Sequence, residues 1–184
     1  MFFQGWRLHL VLVACLLSAG VLLGGQHVYR EFFVQRPLME TLRAEKGVQG
    51  VRLERTGNTE KVMVELEPVD SLKQTYLRLE QLLHRFYPDG KVELIVVDHR
   101  SPALEQVWGR CQFAVYEAAV RGNFTTMAEE VEKETQEQGV KLKLDVDRGH
   151  IYVALFQGSS YLYEIVPRET PGRGEDGGGE IDGA

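Results

Sequence analysis

The stretch whose reading decides the fold is residues 140–166, Val-Lys-Leu-Lys-Leu-Asp-Val-Asp-Arg-Gly-His-Ile-Tyr-Val-Ala-Leu-Phe-Gln-Gly-Ser-Ser-Tyr-Leu-Tyr-Glu-Ile-Val. Val140, Leu142, Leu144 and Val146 alternate with Lys141, Lys143, Asp145 and Asp147. A period of two is the mark of a strand with one face in a core and the other in water. Ile151, Val153 and Leu155 then alternate with Tyr152, Ala154 and Phe156, and residues 161–166 supply a third strand. Asp147-Arg148-Gly149-His150 and Gly158-Ser159-Ser160 are the turns between them. The reading is a three-strand meander.

Working outward, the period changes to that of helices. Ser101-Pro102 is a helix start, with Ser101 as cap and Pro102 in the first turn. Leu104, Val107, Trp108, Cys111, Val115 and Ala118 form one stripe, and Phe113, Tyr116, Val120 and Phe124 form a second. A helix with two apolar faces is buried on both or offers one to a partner. Gly122-Asn123 reads as a stop followed by a new cap, and Phe124, Met127, Ala128, Val131 and Thr135 continue one face of a second helix. Glu129, Glu130, Glu132, Glu134 and Glu137 project in several directions around it, which makes them solvated surface rather than a metal site.

Further upstream, residues 51–67 read as a hairpin turning at Thr56-Gly57-Asn58-Thr59, with Val51, Leu53, Val62, Val64 and Leu66 on its core face. Ser71 and Gln74 have the spacing of a capping box ahead of the stripe Leu72, Tyr76, Leu79, Leu83 and Phe86. Pro88-Asp89-Gly90 stops that helix. Residues 92–97, Val-Glu-Leu-Ile-Val-Val, are apolar on both faces and predict a central strand or one covered on both sides. Helical pattern also runs through residues 26–46, restarting at Pro37. The fold class expected is α+β: an amino-terminal transmembrane helix, then a mixed sheet in the order ββαβ-αα-βββ with helices packed on it. The expected divisions are an anchor at 1–25, a juxtamembrane linker helix at 26–47, the α+β domain at 48–167 and a tail at 168–184. The tail is rich in glycine and acid, lacks the apolar content to fold, and is expected to be disordered.

The anchor rests on residues 8–23, where Ser18 is the only hydroxyl from residue 10 onward and nothing is charged. With its flanks the run reaches the roughly twenty residues that cross a hydrocarbon core. Trp6 and Arg7 on one side, and Tyr29, Phe32 and Phe33 on the other, are placed for the two membrane interfaces. A cleaved signal peptide and a lipidated Cys15, from Leu12-Val13-Ala14-Cys15, are the competing readings. The expected location is a cell membrane, crossed once. Arg30, Arg36 and Arg43 after the run, against Arg7 before it, do not fix the side of the domain.

Composition narrows the function classes. The net charge is −6 and no basic stripe exists, which excludes nucleic acid as a main partner. Outside the anchor Cys111 is the only cysteine, so neither a disulfide nor a cysteine metal cluster is available there. No phosphate loop, dinucleotide fingerprint or zinc-protease motif is present, and no cofactor is expected. The candidate chemistry is two polar turns, Asp98-His99-Arg100 and Asp147-Arg148-Gly149-His150. If both lay at one end of a sheet, Asp98, His99, Asp147 and His150 would make a divalent-metal site or an acid–base pair. The candidate interaction surface is Phe113, Tyr116 and Val120 on the helix, with Tyr152, Tyr161 and Tyr163 on the meander.

Residues 38–97, helix-hairpin-helix-strand with the lead-in Gly47-Val48-Gln49-Gly50-Val51, resemble the BON-type and ring-building-motif modules found behind bacterial membrane anchors. The resemblance covers about a third of the chain. It implies assembly or scaffolding at the envelope and carries no functional residue over. The anchor, the doubly apolar helix from Leu104 to Phe124 and the lack of a catalytic motif make the expected function a membrane-tethered, non-enzymatic interaction or assembly module of the bacterial envelope, contacting the bilayer and either a second copy or an envelope protein. The alternative is a tethered ligand or metal sensor, or an enzyme, built on the two polar turns.

Overall fold

The computed structural model describes residues 36–57, 59–88, 90 and 92–168, together with Cys15 and Ser18. Apart from those two residues the anchor, with Trp6 and Arg7, lies outside the described residues, as do Tyr29, Phe32, Phe33 and the tail beyond Arg168, so the expectations placed on them do too. Among the described residues no helix is long and apolar enough to cross a membrane.

The elements follow the order α1 (Arg36–Arg43), β1 (Val48–Thr56), β2 (Thr59–Leu66), α2 (Leu72–Phe86), β3 (Val92–Val97), α3 (Pro102–Arg121), α4 (Phe124–Glu137), β4 (Lys141–Val146), β5 (His150–Gln157) and β6 (Ser160–Pro167). The local signals that set them are visible. Ser71 Oγ accepts from Gln74 N at 3.3 Å and Ser101 Oγ from Leu104 N at 3.3 Å, each satisfying an otherwise orphaned helix amide. Pro102 occupies the first turn of α3, and Gly122 closes it in the left-handed conformation at φ 77°, which a side chain would strain. Asn123 precedes α4 without a side-chain capping bond, so only its position as a cap matches the sequence reading.

The fold is α+β, but its strands form two sheets where a single mixed sheet was expected. The first is β1-β2-β3, antiparallel between β1 and β2 and parallel between β2 and β3, with α2 as the crossover. The second is the meander β4-β5-β6, antiparallel throughout. A bridge between His99 and Tyr161 ties the end of β3 to β6. β3 is therefore an edge strand of its sheet rather than the central strand its apolar sequence suggested. Its residues are only half-buried apart from an exposed Glu93.

Two apolar clusters hold the layers together. Ile151, Val153, Leu155, Leu162 and Val166 face α3 and α4 through Leu104, Val115, Ala118, Met127 and Val131. The opposite face of the same sheet, Tyr152, Ala154, Tyr161 and Tyr163, packs with α1, α2 and the inner face of the first sheet. β5 is thereby buried on both faces, with five consecutive buried residues from Ile151 to Leu155. Each large apolar side chain so buried contributes about 1.5–3 kcal/mol. Leu38 and Leu42 of α1 are fully buried in the second cluster, so this helix packs into the domain core, while residues 26–35 of the expected linker lie outside the described residues. The outer face of the first sheet, with Arg52, Met63, Glu65 and Val97, belongs to neither cluster.

Candidate functional site

The two polar turns do not meet. His99 pairs with Tyr161 at the start of β6, whereas His150 pairs with Pro167 at its end. Six strand residues separate these points, about 20 Å at the strand rise. The expected convergence of Asp98, His99, Asp147 and His150 is thus overturned by the register of β6. Among the described residues no three His, Cys, Asp or Glu side chains come together to hold a metal ion.

Each turn instead has a structural task. Asp98 is nearly fully buried and takes a two-pronged bond from Arg100, at 2.9 Å from Nε and 2.8 Å from Nη2. It also accepts from Tyr163 N at 2.8 Å, sealing the junction between the sheets. Arg100 reaches on to Glu164 at 3.2 Å. Burial pushes the Glu164 carboxyl above its ordinary range, and Arg100 opposes that shift. At the other end, Asp147 Oδ1 accepts from the amides of Gly149 and His150, both at 2.8 Å, while Tyr152 Oη donates to Oδ2 at 2.8 Å. Burial alone would raise the Asp147 pKa, but these three bonds together hold it below the usual value. Arg168 finishes the turn, donating from its backbone to Gly149 O at 2.8 Å and laying its guanidinium 4.3 Å from the centre of the Phe124 ring. Sequence alone gave no signal for that last contact.

The tyrosines of the candidate surface are also core. Tyr152, Tyr161 and Tyr163 are all buried, because α1, α2 and the first sheet cover the meander face that carries them. Tyr163 Oη donates to Glu67 O at 3.0 Å and accepts from Val69 N at 2.9 Å, tying the segment after β2 to β6. Burial pushes its hydroxyl pKa up to about 12. Cys111 is buried as well, and burial, then the charge of Glu134, raises its thiol to about 11, so it is no nucleophile near neutral pH. A hollow of ≈ 90 Å³ on the open sheet face, beside Met63 and Val97, is smaller than a small-molecule pocket.

What stays outside is one face of α3. Phe113, Tyr116 and Val120 are 73, 51 and 58 % exposed, and they are the large exposed apolar side chains among the described residues. Phe124, the fourth member of that sequence stripe, leaves it because the chain turns at Gly122, and it packs on the first cluster instead. The opposite face of α3 carries Leu104, Val107, Trp108, Cys111, Val115, Ala118 and Ala119 into the core. Charged pairs frame the exposed stripe. Arg110 reaches Glu134 of α4 at 2.7 Å and Arg121 reaches Glu117 at 2.6 Å.

Gly109 lies one turn before Phe113. A methyl placed on it would meet nothing within 4 Å. The packing of the described residues therefore does not require a glycine there, although one in mid-helix costs about 1 kcal/mol relative to alanine. Its position inside a helical pattern is the sequence signal that marks it. No protein family model matches this chain, and no curated protein does either.

Proposed function

We propose that this chain is a membrane-tethered, non-enzymatic interaction or assembly module of the bacterial cell envelope, with the outward face of α3 as its contact surface. The observation that carries the reading is the exposure of Phe113, Tyr116 and Val120 on a helix whose other face is fully committed to the core. Isolated exposed apolar residues are ordinary, but three aligned on one helix face are the anatomy of a partner-binding stripe. The apolar run at residues 8–23 supports the tether. The structural tasks of both polar turns leave the α3 face as the surface feature with the least internal explanation.

The test is made on the full chain in membranes. The chain should resist alkaline carbonate extraction, and deletion of residues 1–25 should release it. A photoreactive benzoylphenylalanine at position 113 should give a covalent protein product, while the same group at exposed Gln81 gives none. Extraction by carbonate would remove the tether from the reading. Absence of any product at 113 would remove the contact face.

A further inference from the structure

We infer that the partner of the α3 face is a second copy of this chain, packed antiparallel about a twofold axis at Phe113. The inference rests on the reading of α3 as the contact face and adds the identity of what covers it.

The arrangement of residues around α3 points to this partner. At about 100° per residue, Gly109, Phe113, Tyr116, Glu117 and Val120 all fall within about 60° of a line through Phe113. Arg110 and Glu117 lie on one flank of that line, and Gly109 and Tyr116 on the other. A twofold axis perpendicular to the helix at Phe113 keeps each flank opposite itself and reverses the direction along the helix. Arg110 is three residues before the axis and Glu117 four after it, about 4.5 and 6 Å along the helix. Arg110 of one copy then stands level with Glu117 of the other, within about 1.5 Å, and the symmetry makes the pair twice. On the other flank the same offsets bring Tyr116 of one copy over Gly109 of the other.

The surface is therefore complementary to itself in charge and in shape. The notch at Gly109, which the single chain does not need, is where the second copy requires space for a tyrosine ring. Arg110 and Glu117 already have partners within the chain, Glu134 and Arg121. These are half-exposed pairs that a second copy would extend into a four-charge cluster. The area is small. A face about 30 Å long and about 10 Å wide offers about 300 Å² per copy. A stable interface in free solution takes about 800 Å² per partner. Pairing through α3 alone is thus weak in dilute solution and depends on the local concentration that a shared membrane provides.

The experiment uses full-length chains in membranes, with benzoylphenylalanine at position 113 to keep an aromatic ring on the axis. The expected photoproduct has the mass of two chains. Arg110→Glu alone and Glu117→Arg alone should each lower its yield at least fivefold, because each sets like charges opposite in both symmetric pairs. Co-expression of the two variants with different tags should restore the yield as a mixed product, since both cross-pairs then attract; that recovery also shows that both variants fold. A product with a protein of another mass overturns the second copy while leaving the contact face standing. Absence of any product overturns both. Self-product that is indifferent to the two charge reversals, or that does not recover on mixing, overturns the antiparallel arrangement.

Discussion

The two sheets of this domain are the same size and live in different surroundings. The meander β4-β5-β6 is covered on both faces, by α3 and α4 on one side and by α1, α2 and the inner face of the other sheet on the second. Among the described residues the β1-β2-β3 sheet is covered on one face only, and its outer face carries Arg52, Met63 and Glu65. The contrast teaches that an alternating pattern does not say whether the second face is wet. Lys143 sits on the outward side of a clean alternation, yet its ammonium donates to Val69 O at 3.3 Å and to Asp70 O at 2.8 Å, bracing the turn before α2. The same ammonium lies 5.5 Å from the centre of the Phe156 ring.

The largest expected effect tests that contrast directly. Leu155→Ala, in the doubly covered strand, should lower unfolding free energy by about 3 kcal/mol, read by urea denaturation. Met63→Ala, on the open face, should cost under about 1 kcal/mol. Equal losses would break the distinction between the sheets. Next in size is Tyr163→Phe. It removes the acceptor of Val69 N and the donor to Glu67 O in one step, and should cost about 2 kcal/mol with little change in m-value.

A smaller, pH-dependent effect belongs to Asp147. Its pKa is lowered in the folded chain, so its contribution is complete above the unfolded value of about 4 and is lost as pH falls through the lowered folded value. Asp147→Asn should cost about 1 kcal/mol at neutral pH and flatten the acid limb of the stability profile. An unchanged limb would show that the turn between β4 and β5 does not hold the carboxylate in its charged form.

The smallest effects sharpen the other asymmetry, between the two faces of α3. Gly109→Ala should raise thermal stability by somewhat under about 1 kcal/mol, because the added methyl meets nothing within 4 Å among the described residues. Phe113→Ser should change stability by less than about 0.5 kcal/mol, which separates a residue kept for a partner from one kept for the fold.

Much of the architecture was legible because it is local. The caps at Ser71 and Ser101, the stop at Gly122 and the strand periods all depend on residues within a few positions of one another, and each was found where the sequence placed it. The outward stripe Phe113, Tyr116 and Val120 was legible for the same reason, since helical spacing alone puts these residues opposite Leu104 and Val115. What escaped was pairing at long range. Nothing near Tyr161 announces that it will bridge to His99, yet that contact sets the two polar turns at opposite ends of β6. Nothing near Leu38 and Leu42 announces that the helix carrying them fills a core.

The sequence by itself determined the order of the described elements, the starts of α2 and α3, the stop of α3 and its two-faced character, because periodicity and capping are properties of neighbouring residues. Only the tertiary structure decided that the strands divide into two sheets, that the meander tyrosines are sealed inside, and that the polar turns stay apart. Those outcomes depend on which distant surfaces exclude water together, and a single face of amphipathic side chains such as Tyr152 and Tyr163 suits either a wet groove or a covered layer until its cover is known.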